Sequence, residues 1–386
     1  MTQSPEPIRI LELRSVWGTG GGPEKTILLG TAQTDPSRYA ITVCYLKQEG
    51  DPNWTMDRRA AEHDIDYVEI EERSSFDRRI WGQLREIILD KRIELIHAHD
   101  YKTDFLAWWA AKRLGTIPMS TAHGFAGTSK KERFYYYFDK RILRTFPRVV
   151  CVASHIREDL VSAGVERDRI RTVLNAIDPN RFQRDRTQEP DARRTFELPD
   201  GSFAIGAIGR LEEEKRFNEL IDAIHPLVGE GRPIQLMIAG DGSLLDALQS
   251  QIRDLGLAES VRLLGHVDDI RAFHHSLDLF VQSSVREGTP NAVLEAMAFE
   301  TPIVATDAGG TRDLARPDEE AWIVPIASPD ALSAAIRTAM DEPETRTRQV
   351  ANARARVETD LSFSNRMKQV EDVYDELMAE HRKAGA

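Results

Sequence analysis

Only two cysteines occur in the 386 residues, Cys44 and Cys151. Each sits in an apolar run that reads as a buried strand. They are expected as core thiols of a reducing compartment, not as a disulfide. Long hydrophobic runs are also missing, for none approaches the roughly 20 residues of a membrane-spanning helix. The polar start, Met1 to Pro7, lacks the basic, apolar and small-residue succession of a secretory leader. A cytoplasmic location is expected, with a peripheral place on the inner face of the membrane left open. Basic excess is absent: 51 Lys and Arg against 63 Asp and Glu leave a net charge of −12. That balance argues against a general nucleic-acid binder, whose phosphate contacts need a basic face. Zinc-ligand spacing is absent as well, with no H-x-x-x-H and no cysteine pair.

What is present is an ordinary soluble composition, 41% apolar and 30% charged, in a chain too long for one ordinary core. Strand-like and helix-like runs alternate almost throughout. In the first half strands are predicted at 8–16, 41–46, 67–70, 95–99, 119–123, 149–153 and 170–174. Amphipathic stretches such as 80–90 and 104–114 lie between them. The pattern restarts with strands at 203–208, 235–239, 261–264, 279–282, 302–306 and 321–324, and helices at 243–255 and 291–299. Short apolar strands separated by helices imply parallel sheets. The α/β class follows: two tandem doubly wound, Rossmann-like domains facing a deep cleft, with ligands at the carboxyl ends of the strands. The expected division is 1–182, a linker at 183–200 rich in Arg, Asp, Gln and Pro, and 201–362. The amphipathic tail 363–382 either packs back on the first domain or is an ordinary last helix of the second.

The densest chemistry lies in Arg286-Glu287-Gly288-Thr289-Pro290-Asn291-Ala292-Val293-Leu294-Glu295. It sets two carboxylates eight positions apart, one in a Gly/Pro loop and one about a turn into a helix. The helix start between them offers free backbone N–H groups, a ready diphosphate site. Two acids beside such a site suit a ligand rich in hydroxyls and phosphates, as a nucleotide sugar is. Arg210, at the exit of strand 203–208, and Lys215, five residues on, form a candidate cation clamp for a leaving diphosphate. Surface pairing with Glu212, Glu213 and Glu214 is the plain alternative. Asp241 and His266 end short strand-exit loops where backbone groups could read a base, or where ordinary turns suffice.

The loop Gly18-Thr19-Gly20-Gly21-Gly22-Pro23 follows the first strand, and Pro23 suits a first helical residue. It is neither the dinucleotide fingerprint nor a Walker A loop. It serves close backbone approach to a ligand, or only a tight turn. His123 ends a strand and can exchange a proton or hydrogen-bond a sugar hydroxyl. His97 and His99, two apart, share one face of their strand. Residues 130–148 carry seven basic against two acidic residues, interleaved with Phe134, Tyr135, Tyr136, Tyr137 and Phe138. This island reads as a surface for anionic lipid or an acceptor, or as a solvated helix with a packed aromatic face.

Together these residues resemble the retaining glycosyltransferases of family 4, of the two-domain GT-B fold, through nearly the whole chain and most densely from 203 to 310. The family's E-x7-E element is similar to Glu287–Glu295, its R-x4-K pair to Arg210 and Lys215, and its first loop to Gly20-Gly21-Gly22. Asp307-Ala308-Gly309-Gly310 also fits. The resemblance implies that Glu295 holds the nucleotide ribose and Glu287 the donor-sugar hydroxyls. It places Arg210 and Lys215 on the diphosphate, with backbone groups of Gly288, Thr289, Asn291, Ala292 and Val293 beside it, and His123 near the transferring sugar. Asp241 and His266 complete the donor-binding set. No cofactor and no metal are implied, and Asp64-Ile65-Asp66 is discounted as a metal-binding D-x-D. Glu300 and Ala176 depart from the family pattern, each where glycine is usual.

The expected activity is transfer of a hexose from a nucleotide diphosphate sugar to a carbohydrate or lipid-linked acceptor, in surface polysaccharide or glycoconjugate synthesis. A nucleotide-sugar epimerase of the same architecture would use the same clamp without an acceptor. A non-catalytic nucleotide-sugar or glycan-binding module is the third reading, disfavoured by the intact Arg210, Lys215, Glu287 and Glu295.

Overall fold

The computed structural model describes residues 6–16, 20–74, 77–125 and 130–384. Trp17, Gly18 and Thr19 of the first loop lie outside the described residues, as do the side chains of Lys130, Lys131 and Glu132. The chain divides into two compact units, 1–173 with 366–386, and 174–365.

The first unit is built on seven strands: β1 (Ile8–Ser15), β2 (Tyr39–Gln48), β3 (Asp66–Glu72), β4 (Leu95–Ala98), β5 (Ile117–Ala122), β6 (Arg148–Cys151) and β7 (Ile170–Thr172). Their order is β3-β2-β1-β4-β5-β6-β7 and every pairing is parallel. Helices cover the faces because their apolar residues fall on one stripe. In Arg79–Asp90 the buried residues are Ile80, Leu84 and Ile88, one per turn. Helix Tyr101–Leu114 starts where the Asp100 carboxylate accepts from the N–H groups of Lys102 and Thr103, and ends at left-handed Gly115. Cys44 and Cys151 are free and buried in this core.

The second unit carries β8 (Phe203–Ile208), β9 (Ile234–Ala239), β10 (Val261–Gly265), β11 (Leu279–Gln282), β12 (Ile303–Thr306) and β13 (Trp322–Val324). The order is β10-β9-β8-β11-β12-β13, again all parallel. In both sheets the order reverses once, between β1 and β4 and between β8 and β11. Adjacent loops leave opposite faces at such a switch point and open a crevice at the carboxyl ends of the strands.

Two boundaries differ from the sequence reading. Residues 183–200 are not a linker. They hold a 3-10 turn, Arg186–Gln188, and the helix Glu189–Thr195, within the second unit. The arginines that made the segment look solvated are its ties: Arg184 donates to the carbonyls of His274, His275 and Leu277, and Arg193 to Asp278 and the Ser202 carbonyl. The first unit therefore ends at 173, not 182. The last helix, Phe363–Ala384, belongs to the first unit from Arg366 onward. Val370, Val373 and Leu377 are buried, and Tyr39 donates to Asp375 at 2.9 Å.

Candidate functional site

In the second unit the switch point brings the sequence-predicted residues together. β8 runs through Gly209 into the 3-10 turn Glu213–Lys215. The Lys215 stem lies against Gly209, where an added Cβ would meet Lys215 Cε at 3.2 Å. Lys215 Nζ donates to Glu287 Oε1 at 2.7 Å, and the Ser284 hydroxyl reaches the same oxygen at 2.6 Å. Val285 N–H to the Glu214 carbonyl and the Ser283 hydroxyl to the Lys215 carbonyl lock the two loops to each other. The Lys215 and Glu287 side chains are only 21% and 12% exposed, so their attraction is less screened than that of a surface pair.

The Glu287 loop rests on a glycine. Gly309 has φ +56°, and a Cβ there would sit 1.8 Å from the Glu287 carbonyl oxygen. Gly310 N–H donates to the Gly288 carbonyl at 2.9 Å. The loop feeds helix Asn291–Ala298, whose N-cap is Pro290 and which has no side-chain cap. Proline cannot accept at its side chain; its carbonyl takes the Val293 N–H at 3.1 Å, and the N–H groups of Asn291 and Ala292 have no side-chain cap. Asn175 Nδ2 reaches Asn291 Oδ1 at 3.3 Å and the Thr289 carbonyl at 3.5 Å, which fixes this helix start. Thr289 and Val293 are buried, Gly288, Ala292 and Glu295 half-buried.

Three predicted residues stand apart from this cluster. Arg210 is 74% exposed and pairs with Glu214 at 2.7 Å, the surface pairing that competed with the clamp. Its five-donor head is thus parked on the turn that carries Lys215. Asp241 is exposed beyond β9, its carbonyl accepting from Leu211 N–H at 2.8 Å. His266 follows β10, exposed and 3.2 Å from Asp268.

In the first unit, Gly20 is left-handed at φ +66° and Gly21 caps the helix Gly22–Gln33. Gly22, not Pro23, is the first helical residue. Glu24 folds back to accept from Gly21 N–H at 2.5 Å and from Arg14. Arg14 also donates to the His99 carbonyl at 2.8 Å.

Beside this loop the histidines form a buried network. Glu12 of β1 accepts from Tyr374 at 2.7 Å through Oε1. The same oxygen lies 3.0 Å from His97 Nδ1, and Oε2 lies 2.5 Å from His99 Nε2. His97 Nε2 is 2.7 Å from the Thr121 hydroxyl, and His99 Nδ1 is 3.2 Å from His123 Nε2. Burial alone would raise the Glu12 carboxyl, but His97 and His99 hold it well below the usual range. Burial pushes His99 down to about 4, and pushes His123 well below the ordinary imidazole value. Glu12, His97 and His99 are the one metal-like group among the described residues. Their 2.5 and 3.0 Å separations are hydrogen bonds; two ligands of a tetrahedral zinc would stand about 3.3 Å apart. The sequence reading missed Glu12, Arg14, Glu24 and Tyr374. The available signal was charge at alternate positions of β1, Glu12 and Arg14 on either side of Leu13.

The basic island forms helix Lys130–Leu143. Phe134, Tyr137 and Phe138 on it are exposed, so the aromatic face is not wholly packed. Phe134, Tyr135 and Phe138 line a cavity of about 620 Å³ with Trp81, Tyr101 and Phe105. Asp139 at its wall is buried and linked to buried Asp104; burial raises both carboxyls. No helix among the described residues is long and apolar enough to cross a membrane.

Comparison with known proteins agrees with this architecture. The model of "Glycosyltransferase Family 4" matches residues 32–181, and that of "Glycosyl transferases group 1" matches 188–356. The chain is 29% identical over 266 residues to the lipopolysaccharide core biosynthesis glycosyltransferase LpsE of Rhizobium meliloti, covering 69% of this chain and 73% of that one. It is 24% identical over 306 residues to an Escherichia coli UDP-Gal:alpha-D-GlcNAc-diphosphoundecaprenol alpha-1,3-galactosyltransferase, covering 76% and 78%. Anabaena HepE, crystallised with UDP, superposes with a TM-score of 0.83 at 18% identity, covering 96% of this chain and all of that one. With two doubly wound parallel units and family matches over most of its length, the chain belongs to the family 4 glycosyltransferases, of GT-B fold.

Proposed function

We propose that this glycosyltransferase moves a hexose from a nucleoside diphosphate sugar to a carbohydrate or lipid-linked acceptor, with retention of configuration. Bond cleavage leaves negative charge on the diphosphate. Lys215, supported by Arg210 once it leaves Glu214, and the N–H groups of Asn291 and Ala292 neutralise that charge in place of a metal. Glu287 accepts from donor-sugar hydroxyls and Glu295 from the ribose. His123, at the carboxyl end of β5, hydrogen-bonds a substrate hydroxyl. The observation that carries this reading is the Lys215–Glu287 pair held at the β8/β11 switch point beside a helix start with no side-chain cap.

The named relatives work on lipopolysaccharide core and on a lipid-linked diphosphate acceptor. They support a role in surface polysaccharide or glycoconjugate assembly. The aromatic cavity at 81, 101, 105 and 138 suits the apolar part of such an acceptor, with helix Lys130–Leu143 touching the bilayer.

A thermal-shift panel of nucleoside diphosphates and their sugars, run with a chelator, tests the donor reading. Ligand at 100 times its Kd stabilises the folded state by about 2.7 kcal/mol, a shift of several degrees. UDP and UDP-sugars come first, given the galactosyltransferase and the HepE complex. No shift with any nucleotide would refute the donor site. Release of free nucleoside diphosphate only with acceptor separates transfer from epimerisation.

A further inference from the structure

The buried network in the first unit fixes more than a position. A deprotonated Glu12 can only accept, so the hydrogen between its Oε2 and His99 Nε2 belongs to His99. A neutral imidazole carries one hydrogen, so His99 Nδ1 is a lone pair. The 3.2 Å contact from His99 Nδ1 to His123 Nε2 then requires the hydrogen on His123 Nε2. His123 Nδ1 is left as an acceptor.

We propose that the Glu12–His99–His123 relay locks His123 in its neutral Nε2–H tautomer, so that its Nδ1 accepts from a substrate hydroxyl and discriminates against an anionic oxygen there. Glu12 and His99 are positioning residues; the group meeting the substrate is His123. This role rests on His123 facing the substrate, as proposed above, whereas the tautomer does not. The discrimination is between sugar classes: a neutral hexose presents a hydroxyl donor, while a uronic carboxylate at that position would meet a lone pair.

The charged and titratable groups facing the relay come from four elements. Arg14 lies on β1, Tyr45 on β2, His97 on β4, and Arg366 and Tyr374 on the last helix. The cations Arg14 and Arg366 oppose protonation of His123 along with its burial. The neutral state therefore persists through the physiological range. Tyr374 donates to Glu12 Oε1 and keeps that oxygen occupied on the side away from His99.

The test is long-range 1H–15N correlation of the imidazole nitrogens in the full chain, labelled at histidine, at neutral pH. A His123→Gln variant assigns the resonances. The expected spectrum shows His123 protonated at Nε2 and unprotonated at Nδ1, with His99 in the same tautomer. A His123 protonated at Nδ1, or at both nitrogens, overturns the relay. This measurement needs no variant of Glu12 to fold.

Glu12→Gln then probes causation. Tyr374 and His97 crowd the Oε1 side with donors, so the amide oxygen of the variant turns there and its NH2 faces His99. That donor inverts His99, and through it His123, to the Nδ1–H form. The expected outcome is inverted ring nitrogens and kcat/KM for a neutral-sugar donor lowered about 10- to 100-fold, the usual cost of losing an orienting partner. A merely structural role would lower activity without moving the protons. Inverted tautomers with unchanged kcat/KM would overturn His123's substrate role while the donor-site thermal shifts still stand.

Discussion

Lys215→Ala separates electrostatics from stability. In the structure Nζ lies 2.7 Å from Glu287 Oε1, with the two side chains 21% and 12% exposed. Breaking a surface pair costs about 0–1 kcal/mol and orphaning a buried charge about 3–5. Glu287 keeps the Ser284 hydroxyl, so the expected loss is about 1–2 kcal/mol, or roughly 2–8 °C in Tm for a unit of this size. Turnover should fall far more, about 10²- to 10³-fold, because the ammonium acts on charge that develops only as the leaving diphosphate departs. The assay is acceptor-dependent release of nucleoside diphosphate, beside a melting curve. The double variant Lys215→Ala, Glu287→Gln adds a control. Removing the orphaned carboxylate should recover most of the lost stability and none of the turnover. Turnover within threefold of the unaltered chain, in a folded Lys215→Ala, would refute the role. Recovery of turnover in the double variant would mean that Lys215 serves only to neutralise the Glu287 carboxylate, and would overturn the roles of both residues.

Further outcomes follow from single positions. Gly309→Ala puts a methyl 1.8 Å from the Glu287 carbonyl oxygen at φ +56°; denaturant melts should show a loss of roughly 2–4 kcal/mol, and nucleotide shifts should weaken because the Glu287 loop must move. Glu300 holds φ +52° and its pairing with Arg186 is long, 3.9 Å, so Glu300→Gly should stabilise by about 0.5–1 kcal/mol, the relief of left-handed strain outweighing the added chain entropy. Asp139 is raised to about 7 by burial beside Asp104. Its native value lies above its unfolded one, so the folded state binds the extra proton and stability falls as pH rises from about 4 through 7. Asp139→Asn should flatten that fall and leave the variant the more stable at pH 8, by on the order of 1–3 kcal/mol; a parallel pH profile would refute it.

Most strands were legible because they are short apolar runs, several of them buried on both faces, as β4, β11 and β12 are, and such runs need no tertiary context. All thirteen fall where the pattern put them, within a few residues. The Glu287–Glu295 element was legible for a different reason: a carboxylate, a Gly/Pro loop and a helix start are local, and Pro290 supplies no side-chain cap, though its carbonyl takes the Val293 N–H. Where long side chains carry the contact, the sequence was ambiguous. The arginines of 183–200 look solvated until Arg184 and Arg193 are seen on the carbonyls of His274 and Ser276, some 80–90 positions away. Arg210 could serve a ligand or a neighbouring acid, and without ligand its head rests on Glu214.

Sequence by itself determined the α/β alternation, the two sheets and the uncapped helix start after Pro290, since all of these are written in local spacing, and its motifs carried the family resemblance. Tertiary structure alone decided the state of the histidines. Glu12 lies on β1, and His99 and His123 directly follow β4 and β5, three strands brought side by side by the order β1-β4-β5, and Tyr374 arrives on a helix more than 350 residues from Glu12. A proton's place on an imidazole depends on what its other nitrogen touches, and nothing local in the chain records that.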